Sequence, residues 1–329
     1  MKTLVTGGGG FIGSHVVKQL VQRGESVRVL HLPGENLSNL NGCNVELVAG
    51  NVLNPKDVEK AVAGCDKVYH LAAIYAFWMR HPQLMFDVNV NGSKYVLNAC
   101  AEKGVKKVVY TSSMVRYGGQ GNGQRGNEES PFAMGNSGEL YSISKYQSQE
   151  LAEQYARQGL NLTIVNPTLP IGPGDIGPTP TGKYLIGMIK NPVVVYTDSV
   201  TNAGDVRDIA AGHILAMEEG KQGRSYILGG LEDVSMKEFV ELSMRILGKR
   251  KPAFQISNKV FEGLGYLMEM YAEFISGEAP LVTSQAARAS TMGMRSDCTR
   301  AQKELGYTCR PLEESIRDAV QWFKENNYI

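Results

Sequence analysis

What the chain lacks is informative. No uncharged apolar run approaches the roughly 18 residues needed to cross a bilayer, and the apolar residues after Lys2 break at once into four glycines, Gly7 to Gly10, where a secretory leader would need an unbroken run. Cysteine is sparse: Cys43, Cys65, Cys100, Cys298 and Cys309 are odd in number, scattered and free of any C-x-x-C pair, so neither a disulfide framework nor a zinc pattern is expected. A formal net charge of +1 leaves little excess of either sign, which argues against a nucleic-acid face or an acidic tail. His15, His70, His81 and His213 show no ligand spacing, so no metal is expected. There is no internal repeat and no low-complexity segment. These absences leave a cytoplasmic protein whose partner is a small molecule, with neither nucleic acid nor membrane expected.

What is present is a regular alternation of strand and helix signals. At 329 residues one large domain or two intimately packed ones are expected. Residues 1–6 read as a strand. Residues 14–23 then place Val16, Val17, Leu20 and Val21 on one helical face, closed by Gly24. Residues 27–30, 45–48, 68–73, 105–111 and 160–165 repeat the strand signal. Helices are expected from Asn54-Pro55, over 83–103 and over 140–158. Strands joined by helices at this spacing mean parallel neighbours, hence an α/β Rossmann fold with a doubly wound parallel sheet. After Pro167 the prolines at 170, 173, 178 and 180 mark a rigid loop, and amphipathic helices follow over 235–247 and 312–325. The expected division is a dinucleotide-binding domain over 1–172, with a return segment near 205–230, and a mainly substrate-binding part over 173–329.

Gly7, Gly10 and Gly13 lie between the first strand and the first helix. Glycines there permit a sharp turn, close approach of backbone to a pyrophosphate and tight packing of helix on strand, while free N–H groups at the helix start hold the anion. The plainer reading, a flexible glycine loop, does not account for the flanking periodicity. The end of the second strand normally separates NAD from NADP, by an acidic group for ribose hydroxyls or a basic one for phosphate. His31 and Leu32 stand there, so the reading leans to NADP, with NAD left open and a solvent-facing His31 an equal alternative.

Tyr141 and Lys145 form Y-x-x-x-K, one helical turn apart on one face. An ammonium beside a phenol is expected to pull its pKa from about 10 toward working pH, and Lys145 can reach the nicotinamide ribose. Such a pair is commonly just an exposed pair. Ser113 changes the balance, because it closes the fifth strand at the sheet's carboxyl edge, where its hydroxyl can bond a carbonyl or alkoxide. Ser112 should point to the other face.

With these residues in place the chain resembles the extended short-chain dehydrogenase/reductases, the NAD-dependent epimerase/dehydratase family. Thr6 to Gly13, including Phe11 and Ile12, is similar to that family's dinucleotide fingerprint, and Tyr110-Thr111-Ser112-Ser113 with Tyr141 to Lys145 to its active site. Asn166 to Asp175, Pro178 to Gly182, Lys303 to Tyr307 and Ala319 to Phe323 resemble dihydroflavonol 4-reductase-like and hopanoid-associated sugar epimerase-like proteins. The resemblance implies cofactor contacts from Asn51 and Val52, from Leu71, Ala72 and Ala73, from Asn89 and from Pro167, and it implies a homodimer. Two departures touch cofactor choice: Asn51 stands where an adenine-contacting aspartate is common, and Leu32 where such reductases often carry arginine.

The activity expected is hydride transfer between nicotinamide C4 and a carbonyl or alcohol. Tyr141 would move the proton, Lys145 would tune it and Ser113 would polarise the oxygen. The alternative is a nucleotide-sugar epimerase or dehydratase that reduces and reoxidises a bound NAD in one cycle. Ile74, Tyr75, Phe77, Trp78 and Met79 are expected either to overhang the nicotinamide or merely to pack, and they favour an apolar or aromatic substrate. Residues 260–275 read as a helix burying a core face or a dimer contact. Asp205 and Asp208 are expected to cap a helix.

Overall fold

Seven strands run parallel in one sheet in the computed structural model, which describes residues 1–121, 123–280 and 282–329. They are β1 (Lys2–Thr6), β2 (Ser26–His31), β3 (Glu46–Ala49), β4 (Lys67–His70), β5 (Lys107–Thr111), β6 (Leu162–Pro167) and β7 (Ser225–Leu228). Their order across the sheet is β7-β6-β5-β4-β1-β2-β3. The order reverses beside β1, which opens a crevice at the strands' carboxyl ends. The strands read as apolar runs because both faces are covered. Leu4, Val68 and Val108 face one core with α2 (Pro55–Val62), α3 (Ser93–Glu102) and α4 (Leu140–Arg157). Val5, Val29, Val109 and Val165 face the other, with Val16, Val17 and Leu20 of α1 (Phe11–Gln22).

Local signals account for the helix ends. Asn54 caps α2 by accepting the Lys56 N–H at 3.1 Å, with Pro55 at the first helical position. Gly24, at φ 76°, follows the last turn of α1. The expected helix over 83–103 is present with a flaw: helix Gln83–Phe86 and α3 are joined by a π turn, Asp87–Gly92. The fourth strand is shorter than its apolar run. β4 stops at His70 because Leu71 and Ala72 bend under the glycine turn, where their N–H groups bond Thr6 O at 3.1 Å and Thr6 Oγ1 at 3.3 Å.

Beyond Pro167 the chain builds a smaller layer on the sheet's carboxyl side. Strands Leu169–Ile171, Val200–Asp205 and Asp233–Ser235 pair together, and a third core gathers Leu185, Met188, Phe239, Val240, Ile316, Val320 and Phe323. These come from α5 (Pro180–Lys190), α7 (Met236–Leu247) and α11 (Leu312–Glu325). Between α5 and α7, helix α6 (Val206–Glu218) returns to the first layers and packs with α1. Asp205 caps α6 through the Arg207 N–H at 2.8 Å, as expected, whereas Asp208 does not cap the helix: it lies in the first turn and pairs with Arg310 at 2.7 Å. Helices α8 (Asn258–Tyr271), α9 (Ser284–Met292) and α10 (Thr299–Leu305) complete the chain. Helix α8 does not bury its apolar face in the core of this chain, which leaves the expected dimer contact as the alternative. Gly265 is buried, its position closed by Thr283 and Ser284 at the start of α9, and Ala272 just beyond the helix is buried too. Val260, Leu264, Leu267, Tyr271 and Phe274 instead face outward.

Candidate active site

The glycine turn has no spare volume. Gly7 takes φ 70°, and a Cβ on it would lie 2.8 Å from Ala72 N. A Cβ on Gly13 would overlap the Gly7 carbonyl oxygen. At Gly10, by contrast, a Cβ would meet only Gly7 O, at 3.2 Å, and the residue is exposed. No side chain caps α1, and its first turn carries no acidic residue. Free N–H groups at an uncapped helix start, beneath a backbone stripped of side chains, fit a pyrophosphate. Phe11 is half-buried at this helix start with its ring 6.3 Å from that of His15, and Ile12 packs into the core.

The other expected cofactor residues stand in different settings, and only Leu71 and Ala72 touch this turn among the contacts described. Leu71 and Ala72 lie under it, whereas Ala73 is exposed. Asn51 closes a small turn, its carboxamide oxygen accepting Leu53 N–H at 2.9 Å while its own N–H goes to Asp57 at 2.9 Å. Val52 is buried against the position a Gly92 side chain would take. Pro167 ends β6. His31 ends β2 with Nδ1 2.9 Å from Leu32 O.

Ser113, Tyr141 and Lys145 come together at the carboxyl end of β5, being 6%, 8% and 4% exposed. Ser113 follows the strand in extended conformation, with its carbonyl held by Asn166 Nδ2 at 3.0 Å. The Ser112 hydroxyl is buried and has no hydrogen-bond partner among the described residues. Lys145 Nζ donates to Thr111 O at 3.0 Å, and burial lowers its pKa to about 8. Tyr141 behaves otherwise than the sequence suggests. Burial pushes its phenol above the ordinary tyrosine range, the Ser113 hydroxyl pulls it back, and the Glu139 charge adds to the rise. Desolvation is the larger effect here, and the lysine ammonium is engaged by a backbone carbonyl.

Several site residues escaped the sequence reading. Glu139, 2% exposed, caps α4 by accepting the N–H groups of Tyr141 and Ser142, each at 2.7 Å. Burial raises its carboxyl despite these bonds. A glutamate is an uncommon cap, so propensity gave no signal. His70, discounted as structural, is the centre of a buried chain. Ser93 Oγ donates to Asn89 O at 2.7 Å, so it accepts from His70 Nε2–H at 3.0 Å, which leaves Nδ1 to accept the Thr6 hydroxyl at 2.7 Å. Burial holds this imidazole down to about 3. Asn89 extends the chain: its amide bonds Ile74 N at 2.8 Å, Ile74 O at 3.0 Å and Ser144 Oγ at 3.0 Å, and Ser144 donates to Tyr141 O at 2.8 Å. Hydrogen bonds therefore run unbroken from the base of the glycine turn to the helix bearing Tyr141. The aromatic segment covers this site: the Tyr75 ring lies 4.8 Å from that of Tyr141, and Phe77 packs edge-on against Tyr75 at 5.5 Å.

Residues 3–229 match the family model described as NAD dependent epimerase/dehydratase family. The chain is 34% identical over 99% of its length to a Synechocystis sp. protein provisionally named dihydroflavonol 4-reductase, covering 95% of that protein. It is 29% identical over 100% of both chains to sterol demethylase protein B of Methylococcus capsulatus. The crystal structure of gox2253 superposes with a TM-score of 0.88 at 33% identity, covering 99% of each chain.

Proposed function

The chain belongs to the NAD dependent epimerase/dehydratase family, and from that premise we propose that it is a carbonyl reductase or alcohol dehydrogenase acting on an apolar or aromatic substrate. One observation carries the reading: a phenol, an ammonium and a hydroxyl are buried together where β5 ends, beside a helix whose Tyr141 carbonyl is tied through Ser144, Asn89, Ser93 and His70 to Thr6 at the base of the glycine turn.

A bound nicotinamide dinucleotide supplies hydride at its C4. The chain's own residues do the rest. Ser113 offers a hydroxyl to the substrate oxygen and polarises it. Tyr141, held neutral by burial, donates its proton to that oxygen during reduction and takes one back in the reverse direction. Lys145, brought to about 8, holds a proton beside Tyr141 within the range where it can exchange it. Glu139 fixes the first turn of α4 and with it the phenol. Asn89 ties that helix to Ile74, and Tyr75 with Phe77 excludes water from the phenol's face.

The aromatic cover favours an apolar substrate over a nucleotide sugar, whose diphosphate would need charged partners. The names of the two relatives, one for a flavonoid reductase and one for a sterol enzyme, point the same way. A screen of ketones, aldehydes, sterol ketones and nucleotide sugars with both reduced cofactors tests the reading. Stoichiometric loss of reduced cofactor is the expected result, whereas sugar conversion without net oxidation would assign the epimerase reaction instead. With a substrate in hand, Tyr141→Phe is expected to lower kcat by at least about 100-fold while leaving dinucleotide affinity intact. Unchanged turnover would remove Tyr141 from the proton transfer.

A further inference from the structure

The loop after β2 carries a group that the strand end itself does not. From His31 the chain turns back over the glycine turn, and Glu35 is anchored there by the Leu32 N–H, which donates to its Oε2 at 2.9 Å. Its other oxygen, Oε1, lies 2.7 Å from where a Cβ on Gly9 would stand, and Leu37 Cδ2 closes the same position at 2.7 Å. Among the described residues, Oε1 has no hydrogen bond and Glu35 has no ion pair. Between Arg28 and Lys56 the sequence contains no lysine or arginine.

In this architecture the adenosine ribose sits between the first glycine turn and the end of the second strand, and the group that meets its 2′ position sets the choice between NAD and NADP. We infer that Glu35, reaching this position from the loop rather than from the strand end, makes the site selective for NAD. A carboxylate oxygen held against Gly9 accepts hydrogen bonds from ribose hydroxyls. The same oxygen opposes a 2′-phosphate, which carries nearly two negative charges and finds no neighbouring cation in residues 29–55. His31 is the one imidazole in this stretch, with its Nδ1 turned to the Leu32 carbonyl. The inference reverses the lean to NADP drawn from His31 and Leu32, and it rests on the reading that the glycine turn binds a nicotinamide dinucleotide.

Direct titration of the purified full-length chain with NADH and NADPH, followed by calorimetry, tests it without any substrate. The chain is expected to bind NADH at least roughly 30-fold more tightly, and NADPH affinity should rise with added salt as repulsion is screened. Glu35→Gln should shrink the ratio of the two dissociation constants about tenfold or more, and Glu35→Arg should invert it. The side chain is partly exposed, so thermal melts of the variants should match the parent's. Equal or tighter binding of NADPH by the parent, or a ratio untouched by Glu35→Gln, overturns the assignment of Glu35 alone. Failure to bind either nucleotide overturns the dinucleotide reading itself, and Glu35's role with it.

Discussion

The glycine turn between β1 and α1 and the outer face of α8 are opposite solutions to placing a chain. In the turn, single hydrogens stand where a methyl would strike backbone at Gly7 and Gly13. On α8, Val260, Leu264, Leu267 and Tyr271 stand exposed, as does Phe274 in the turn that follows. The first region is specified by backbone meeting backbone, so almost any change is felt. The second is specified by a few small buried residues, Gly265 and Ala272, and tolerates almost anything outside them.

The comparison can be broken most directly at Gly13. Gly13→Ala is expected to cost more than about 4 kcal/mol, at the far end of single-substitution effects, because its Cβ would overlap the Gly7 carbonyl oxygen, which also accepts the Gly10 N–H. A denaturant midpoint close to the parent's would show slack where none is expected.

Acid sharpens the contrast, since all five histidines precede residue 214 and three of them are buried. Burial holds His15 and His213 down to about 4 and His70 to about 3. The unfolded chain takes up these protons first, from about pH 6.5 downward. Stability is therefore complete above that pH and lost as pH falls toward 4, with each histidine contributing on the order of 2 to 3 kcal/mol to the loss. Urea midpoints measured from pH 7 to pH 4 should fall steeply, and His213→Gln should flatten the slope. A flat profile would mean these rings are protonated in the folded protein. The smallest effect belongs to α8 and the turn after it: Leu267→Ser or Phe274→Ser should change stability by less than about 0.5 kcal/mol. A loss several times larger in a melt that depends on protein concentration would reveal a covered face.

The same contrast explains what could be read in advance. The alternation of parallel strands with helices, the cap at Asn54, the glycine turn and the pairing of Tyr141 with Lys145 on one helical face each follow from short-range rules of spacing and conformation. Glu35 and His70 escaped because their roles depend on where a loop returns or on a partner tens of residues away, as Thr6 is for His70, whereas Glu139 acts locally and escaped because glutamate is an uncommon cap. On helix α8 the apolar periodicity marks a face but does not say whether the core or a second copy covers it, and only the core is ruled out. The rise in Tyr141's pKa escaped because spacing reveals which charges are near, while burial decides how strongly each counts.

The π turn at Asp87–Gly92 has a consequence for insertions and deletions. It gives the helix one residue more than regular winding would need, and in an α-helix one residue amounts to about 100° of rotation. Removing a single residue there would mend the helix and improve its local geometry. It would also swing the Asn89 carboxamide out of register with Ile74 and Ser144, so the imperfect winding is what aims that amide.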